Sequence, residues 1–285
     1  MMVVNIAEHH DGEVIEWNWS TENELLQQPF WTSCYLVDGV LIDSGAPAGT
    51  AELQEFVISQ ETKGKVVKCI LTHAHEDHAG GAHLLKKKLG IPIFANEKSI
   101  PILQTGCEYP EYRQITWGSK LLPVDADLLT KPVVSSSKKY TFEILPMPGH
   151  APDLIAFIEK QQQWAFVADA VQPRYKMLFG GSSDIQEDIS LIYHSIQKLY
   201  NFTKGMDNLK LFVSGRGVFK GRGFLKGRLE EIDSLHKSVH ALNNRDLTEE
   251  EILEEIFGGE SVFSGLTEGE FSRMNLIRSL LKWSL

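Results

Sequence analysis

Short runs of alternating apolar and polar residues mark strands along the first part of this chain, and each run stops at a polar cluster. Ser33 to Ser44, SCYLVDGVLIDS, sets Asp38-Gly39 between two β-rich runs, the signal for a tight two-residue hairpin, and leaves Asp43 at a strand end. Lys65 to Leu71, KVVKCIL, is another β-prone run, and THAHEDH begins where it stops, so its histidines fall on a loop. From Asp77 the spacing turns helical through Leu89 and ends at Gly90, before IPIFAN reads as the next strand. TFEILPMPGH alternates into a strand ending at His150, and LIAFIEKQQQWAFVADAV reads as a hairpin whose second strand ends at Asp169. Ile185, Ile189, Ile192, Ile196 and Leu199 recur at helical spacing, an amphipathic helix leading back to the strand LKLFVSG. Tyr109 to Lys139 is irregular and longer than an ordinary connection, as a lid over a site would be.

After Gly227 the strand signals fade. A helix is expected near Arg228 to Asn243, and Thr248 with Glu251, and Thr267 with Glu270, have the spacing of capping boxes that start two more. The chain is therefore divided into a main α/β domain over 1–227 and a helical appendage over 228–285. Composition adds exclusions: with 42% apolar and 23% charged residues the chain reads as an ordinary folded protein rather than a disordered one. A net charge of −10 disfavours nucleic acid as the main partner. Cys34, Cys69 and Cys107 are an odd set without a CxxC pair, the pattern of reduced thiols. The N-terminal MMVVNIAEHHDGEVIEW carries acids where a signal peptide needs an apolar run, and no later run is long enough to span a membrane, so a cytoplasmic location is expected.

The chemistry concentrates in Thr72-His73-Ala74-His75-Glu76-Asp77-His78. His73 and His75, at alternate positions of an extended segment, point to one side and can grip one ion, while Asp77 and His78 follow at the helix start, displaced toward a second ion or a water. Gly80 and Gly81 allow close packing behind them. A solvated polar loop is the bland alternative, but imidazoles and carboxylates crowded at a strand end call for a compensating cation.

HAHEDH resembles the HxHxDH signature of the metallo-β-lactamase superfamily, and PGHAPD and VADA are similar to its third-histidine and bridging-aspartate motifs. The resemblance spans roughly residues 30 to 220 and implies a four-layer αββα sandwich. It also implies that His73, His75 and His150 bind a first metal, that Asp77 and His78 face a second with Asp169 bridging, and that Asp43 supports the site from behind. One motif departs: where members with two metals usually place a histidine in a GHG-like turn, this chain has Ser214-Gly215-Arg216-Gly217. Arginine has no lone pair to donate, so the expectation is a well-filled first site and a weaker second one, or Arg216 pairing with a carboxylate in the ion's stead. Zinc is the default cation, iron and manganese being compatible with the same ligands.

Arg216 to Arg228, RGVFKGRGFLKGR, interleaves basic residues with glycines, either as a flexible loop or as a place for an anionic group, and Arg216 is the candidate substrate-binding residue. His236 and His240, four apart on a helix, have zinc-compatible spacing but no convergent third ligand and read as packed or surface residues, as do His9, His10, His83 and His194. Metal-activated water makes hydrolysis the expected reaction, with Asp77 orienting the nucleophile and passing the proton on, since no GxSxG elbow or Cys-His pair competes. The expected substrate is a small carbonyl ester, a thioester or lactone, and no membrane partner is expected. A phosphodiesterase or ribonuclease, which the helical tail resembles, and a non-catalytic metal-binding protein are the alternatives.

Overall fold

The computed structural model describes residues 2–21, 29–59, 65–180 and 186–284. The chain forms two compact units, one comprising 1–145, 155–168 and 212–218, the other 146–154, 169–211 and 219–285. The first unit is built on two sheets. A seven-stranded sheet begins with the hairpin Met2–His9 and Val14–Thr21 and continues through Phe30–Val37, Val40–Ile42, Lys68–Ile70, Ile93–Ala95 and Asp127–Leu128. The turn at Asp38-Gly39 joins two of these strands as the dipeptide predicted: φ is +42° at Asp38 and +79° at Gly39, the left-handed pair that a twisted hairpin requires. Val133–Val134, Thr141–Pro146, Ile155–Glu159, Trp164–Phe166, Lys210–Val213 and Gly217–Lys220 make the second, six-stranded sheet.

Inward-facing residues of both sheets share one core. Tyr35, Val40, Ile42 and Ile70 from the first meet Phe142, Phe157, Phe166 and Phe212 from the second. The Phe166 and Phe212 rings stack at 4.5 Å, with the Tyr35 ring 5.3 Å from Phe166. Helices cover the other face of the seven-stranded sheet, where Trp17 packs on Phe56 of Thr50–Ser59 and Trp19 on Trp117 of Glu111–Trp117. The central strands of that sheet run parallel, Val40–Ile42 beside Lys68–Ile70 and Lys68–Ile70 beside Ile93–Ala95. Parallel strands end at one edge, so the register Ile42 opposite Ile70 brings Asp43 level with the loop that opens at Thr72.

Several stretches differ from the sequence expectation; the strand before His150 ends at Pro146 and the one before Asp169 at Phe166, so both residues lie on the loops that follow. The helix after the histidine loop is two pieces, Glu76–Ala79 and Ala82–Leu89, because Gly80 and Gly81 lie so close to Pro47 and Ser44 that a Cβ on either would fall 2.3 Å from their backbone. The second piece ends at Gly90 as expected, at φ +67°. Residues 109–139 are not irregular throughout, since they hold the helix Glu111–Trp117 and the short strands Lys120–Leu121, Asp127–Leu128 and Val133–Val134. The basic, glycine-bearing segment is likewise ordered rather than a flexible loop, its first part the strand Gly217–Lys220 and the rest the start of the helix Arg222–Asn243.

In the second unit the amphipathic helix is Ile189–Phe202, capped by Asp188, whose carboxylate accepts Ser190 N–H at 2.8 Å and Leu191 N–H at 3.1 Å; Ile185 lies outside the described residues. Arg222–Asn243, Glu249–Phe257, Val262–Leu266 and Arg273–Lys282 complete the helices. The Thr248–Glu251 capping box forms reciprocally. Thr267 starts no helix: it follows the end of Val262–Leu266, donates to Phe263 O at 2.8 Å, and leaves Ser272 to cap the last helix through Asn275 N–H. Among the described residues no helix is long and apolar enough to cross a membrane.

Candidate metal centre

Both units carry part of the predicted ligand set, each with its own supporting network. In the first, Asp43 organises the loop. It adopts φ +64°, a strained value for a residue other than glycine, and is 2% exposed. Its Oδ1 accepts the Thr72 N–H at 2.8 Å, the Thr72 hydroxyl lies 3.0 and 2.9 Å from its two oxygens, and its Oδ2 lies 2.8 Å from His78 Nδ1. The buried carboxylate makes Nδ1 the protonated nitrogen of His78 and leaves the lone pair on Nε2. A similar deduction applies to His73. The single Thr72 hydroxyl proton goes to Asp43, so the same oxygen accepts from His73 Nδ1 at 3.0 Å, and the His73 lone pair is also on Nε2.

The rings of His73, His75 and His78 form one cluster, with centroids 4.6 Å apart for His73 and His75 and 4.3 Å for His73 and His78. Asp77 Oδ2 lies 3.6 Å from His78 Nε2, and Asp77 Oδ1 is buried without a hydrogen bond among the described residues. These features fit a divalent cation: imidazoles oriented from behind by acceptors, and a carboxylate oxygen, Asp77 Oδ2, set opposite the lone pair of His78 Nε2. The second unit repeats the arrangement. His150 Nδ1 lies 2.6 Å from Glu187 Oε1, and His150 Nε2 lies 3.5 Å from Asp169 Oδ2. Glu187 Oε2 accepts the Phe179 N–H at 2.7 Å, and Gln172 Nε2 donates to Asp169 Oδ1 at 3.0 Å, so both carboxylates are held in place.

The motif's Glu76 and its partner Arg113 carry a role that sequence reasoning missed. Glu76 is fully buried, and Arg113 binds it as a fork, Nε to Oε1 at 2.5 Å and Nη2 to Oε2 at 2.8 Å. Burial works against the charge on Arg113, and the Glu76 carboxylate outweighs it, holding the guanidinium charged beyond its ordinary range. Arg113 Nη2 also lies 3.7 Å from Asp77 Oδ1. Arg216, by contrast, is exposed and makes no ion pair among the described residues; the arginine beside the Asp77 carboxylate is Arg113. The turn bearing Arg216 is nonetheless tied to the histidine loop, because Ser214 Oγ lies 3.5 Å from Thr32 Oγ1, which donates to Asp77 O at 2.6 Å.

The remaining histidines make local contacts, His194 from an exposed position. His236 and His240 both direct Nε2 at the Trp283 carbonyl, at 2.8 and 2.9 Å, and His236 stacks on the Trp283 ring at 4.1 Å. His83 Nδ1 lies 2.7 Å from Pro123 O, and His9 Nε2 lies 2.9 Å from Glu16 Oε2. His10 packs on Trp164, and His194 on Tyr193. Cys34 and Cys69 are buried free thiols pushed well up by that burial and by the nearby Asp43 charge.

An α/β frame whose strand ends carry imidazoles oriented by carboxylates defines a metal-dependent hydrolase as the class of protein. Residues 29–201 match the family described as the metallo-beta-lactamase superfamily. Hydroxyacylglutathione hydrolase GloC of Haemophilus influenzae is 31% identical over 149 residues, 50% of this chain and 68% of that protein. A hydroxyacylglutathione hydrolase of Bdellovibrio bacteriovorus is 26% identical over 102 residues, 36% of this chain and 33% of that protein. In three dimensions a metallo-beta-lactamase from Pontibacter korlensis superposes with a TM-score of 0.61 at 18% identity, over 81% of this chain and 99% of that one. The chain therefore belongs to the metallo-beta-lactamase superfamily, as a metal-dependent hydrolase with that superfamily's α/β fold.

Proposed function

We propose that this chain hydrolyses a small acyl thioester. The observation that carries the reading is the kinship with two proteins named hydroxyacylglutathione hydrolase, a name that denotes cleavage of an acyl–sulfur bond. His73 and His75 with His150 hold the principal cation, taken as zinc, and Asp77, His78 and Asp169 face a weaker second position. Family membership, the order of the three motifs and the matching orientation of His73, His78 and His150 by Thr72, Asp43 and Glu187 support that assignment. A bound divalent cation lowers the pKa of water toward roughly 7 and polarises a carbonyl.

The chain's own groups supply orientation and proton transfer. Asp77 is anchored through its backbone carbonyl by Thr32 and through Oδ1 by the Arg113 charge, which leaves Oδ2 to accept the nucleophile's proton and pass it to the leaving thiolate. Arg216, exposed on a turn tied to that same anchor, offers a cation to a carboxylate on the substrate. Zinc-loaded protein assayed on thioester, lactone, β-lactam and phosphodiester substrates tests the reading. Thioester turnover is expected to lead, and His75→Ala to lose both metal and turnover. Cleavage of RNA with no turnover of thioester or lactone would replace it with the ribonuclease alternative.

A further inference from the structure

A buried ion pair is weak evidence of stability, because two desolvated charges cost several kcal/mol that their attraction only partly returns. The Arg113–Glu76 pair is such a case, with Arg113 5% exposed and Glu76 fully buried. Its surroundings tie it to the metal loop. The Arg113 guanidinium sits 5.3 Å from the Tyr109 ring centre, and Tyr109 Oη donates to Ala74 O at 3.2 Å, between His73 and His75. Gln114 Nε2 donates to Tyr109 O at 2.7 Å and steadies that support. The run 109–114 thus grips the loop at Ala74, at Glu76 and at Asp77 Oδ1.

We propose that Arg113 is a positioning residue for Asp77: forked onto Glu76, it fixes a positive charge against Asp77 Oδ1, leaves Oδ2 as the oxygen that faces the second position, and by that charge weakens binding of a second metal ion. The inference rests on the reading that Asp77 faces that second position. A guanidinium held by two hydrogen bonds cannot move away when a cation arrives, so the ion draws on a carboxylate already partly neutralised. The loop keeps its net charge because Glu76 balances Arg113; what changes is where the charge is placed. Arg113, and not the arginine in the last turn, is then the residue that biases the centre toward one metal.

Zinc binding by the full chain, followed by equilibrium dialysis with elemental analysis, separates the contributions, and cobalt absorption reports the coordination. Glu76→Gln leaves Arg113 unbalanced beside Asp77 and is expected to weaken the second equivalent about tenfold. Glu76→Gln with Arg113→Met removes both charges and is expected to strengthen it about tenfold, with a new cobalt band for the second equivalent. Arg113→Lys, which keeps the charge, is expected to stay near the wild type in affinity. Unchanged second-equivalent affinity in the double variant, given a cooperative melt of its metal-free form, overturns the proposal. Should the double variant not fold, Glu76→Gln decides: equal affinity to the wild type overturns it, and weaker affinity supports it. Wild-type protein that binds no zinc would instead refute the metal assignment itself.

Discussion

Replacing Asp43 by Asn is the sharpest test of how the loop is held. The substitution conserves shape, and asparagine tolerates the φ of +64° found here, so the backbone has no reason to move. Its amide oxygen takes over from Oδ1 and still accepts the Thr72 N–H, now at the 2.8 Å position. The amide nitrogen then stands where Oδ2 lay 2.8 Å from His78 Nδ1, and two donors face each other. His78 relieves the clash by moving its proton to Nε2, which removes the lone pair a metal needs. Loss of a charge-assisted hydrogen bond costs about 1.5–3 kcal/mol of folding stability. Removing a carboxylate behind a histidine ligand weakens metal binding about 10- to 100-fold, which is about 1.4–2.7 kcal/mol. Urea unfolding of the metal-free form measures the first, and zinc competition against a chromophoric chelator the second. Affinity for the second zinc equivalent within twofold of the wild type would refute the reasoning, because it would mean that the His78 tautomer does not matter to the ion it faces.

Three further outcomes follow from the same geometry. Glu187→Gln, which exchanges the carboxylate 2.6 Å from His150 Nδ1, is expected to weaken zinc binding at least about tenfold by the same competition assay while leaving secondary structure by circular dichroism intact. Gly215→Ala places a Cβ 1.8 Å from the Trp31 carbonyl oxygen at φ +62°, so a loss of about 3 kcal/mol or more is expected in urea unfolding; a neutral result would mean the turn carrying Arg216 lies elsewhere. Burial pushes the Cys34 and Cys69 thiols well up, so both are expected to resist a disulfide reagent at pH 8 in the native protein and to react with it after denaturation.

Sequence alone placed the elements that matter most. Periodicity located the strands on either side of Asp38-Gly39 and the polar loops at their ends, and the HAHEDH, PGHAPD and VADA order pointed to the superfamily that the comparisons then showed. Those signals are local, because an alternating run or a compact motif is written within a few residues. Capping chemistry was less dependable. Thr248 with Glu251 formed its box, whereas Thr267 with Glu270 has the same spacing and spends its hydroxyl on the end of a preceding helix.

The residues that hold the motif in place were decided by the tertiary structure. Nothing near Glu76 in sequence announces Arg113, and nothing near His150 announces Glu187, since each pair is separated by 37 positions and meets only after folding. The link from Asp43 to Thr72 and His78 exists because two parallel strands end in register, a relation between elements that neither strand's own pattern contains. Short-range order along a chain fixes which groups are available. Which of their atoms face one another depends on packing between distant segments, where burial makes a single hydrogen bond or charge count for far more than it does in water.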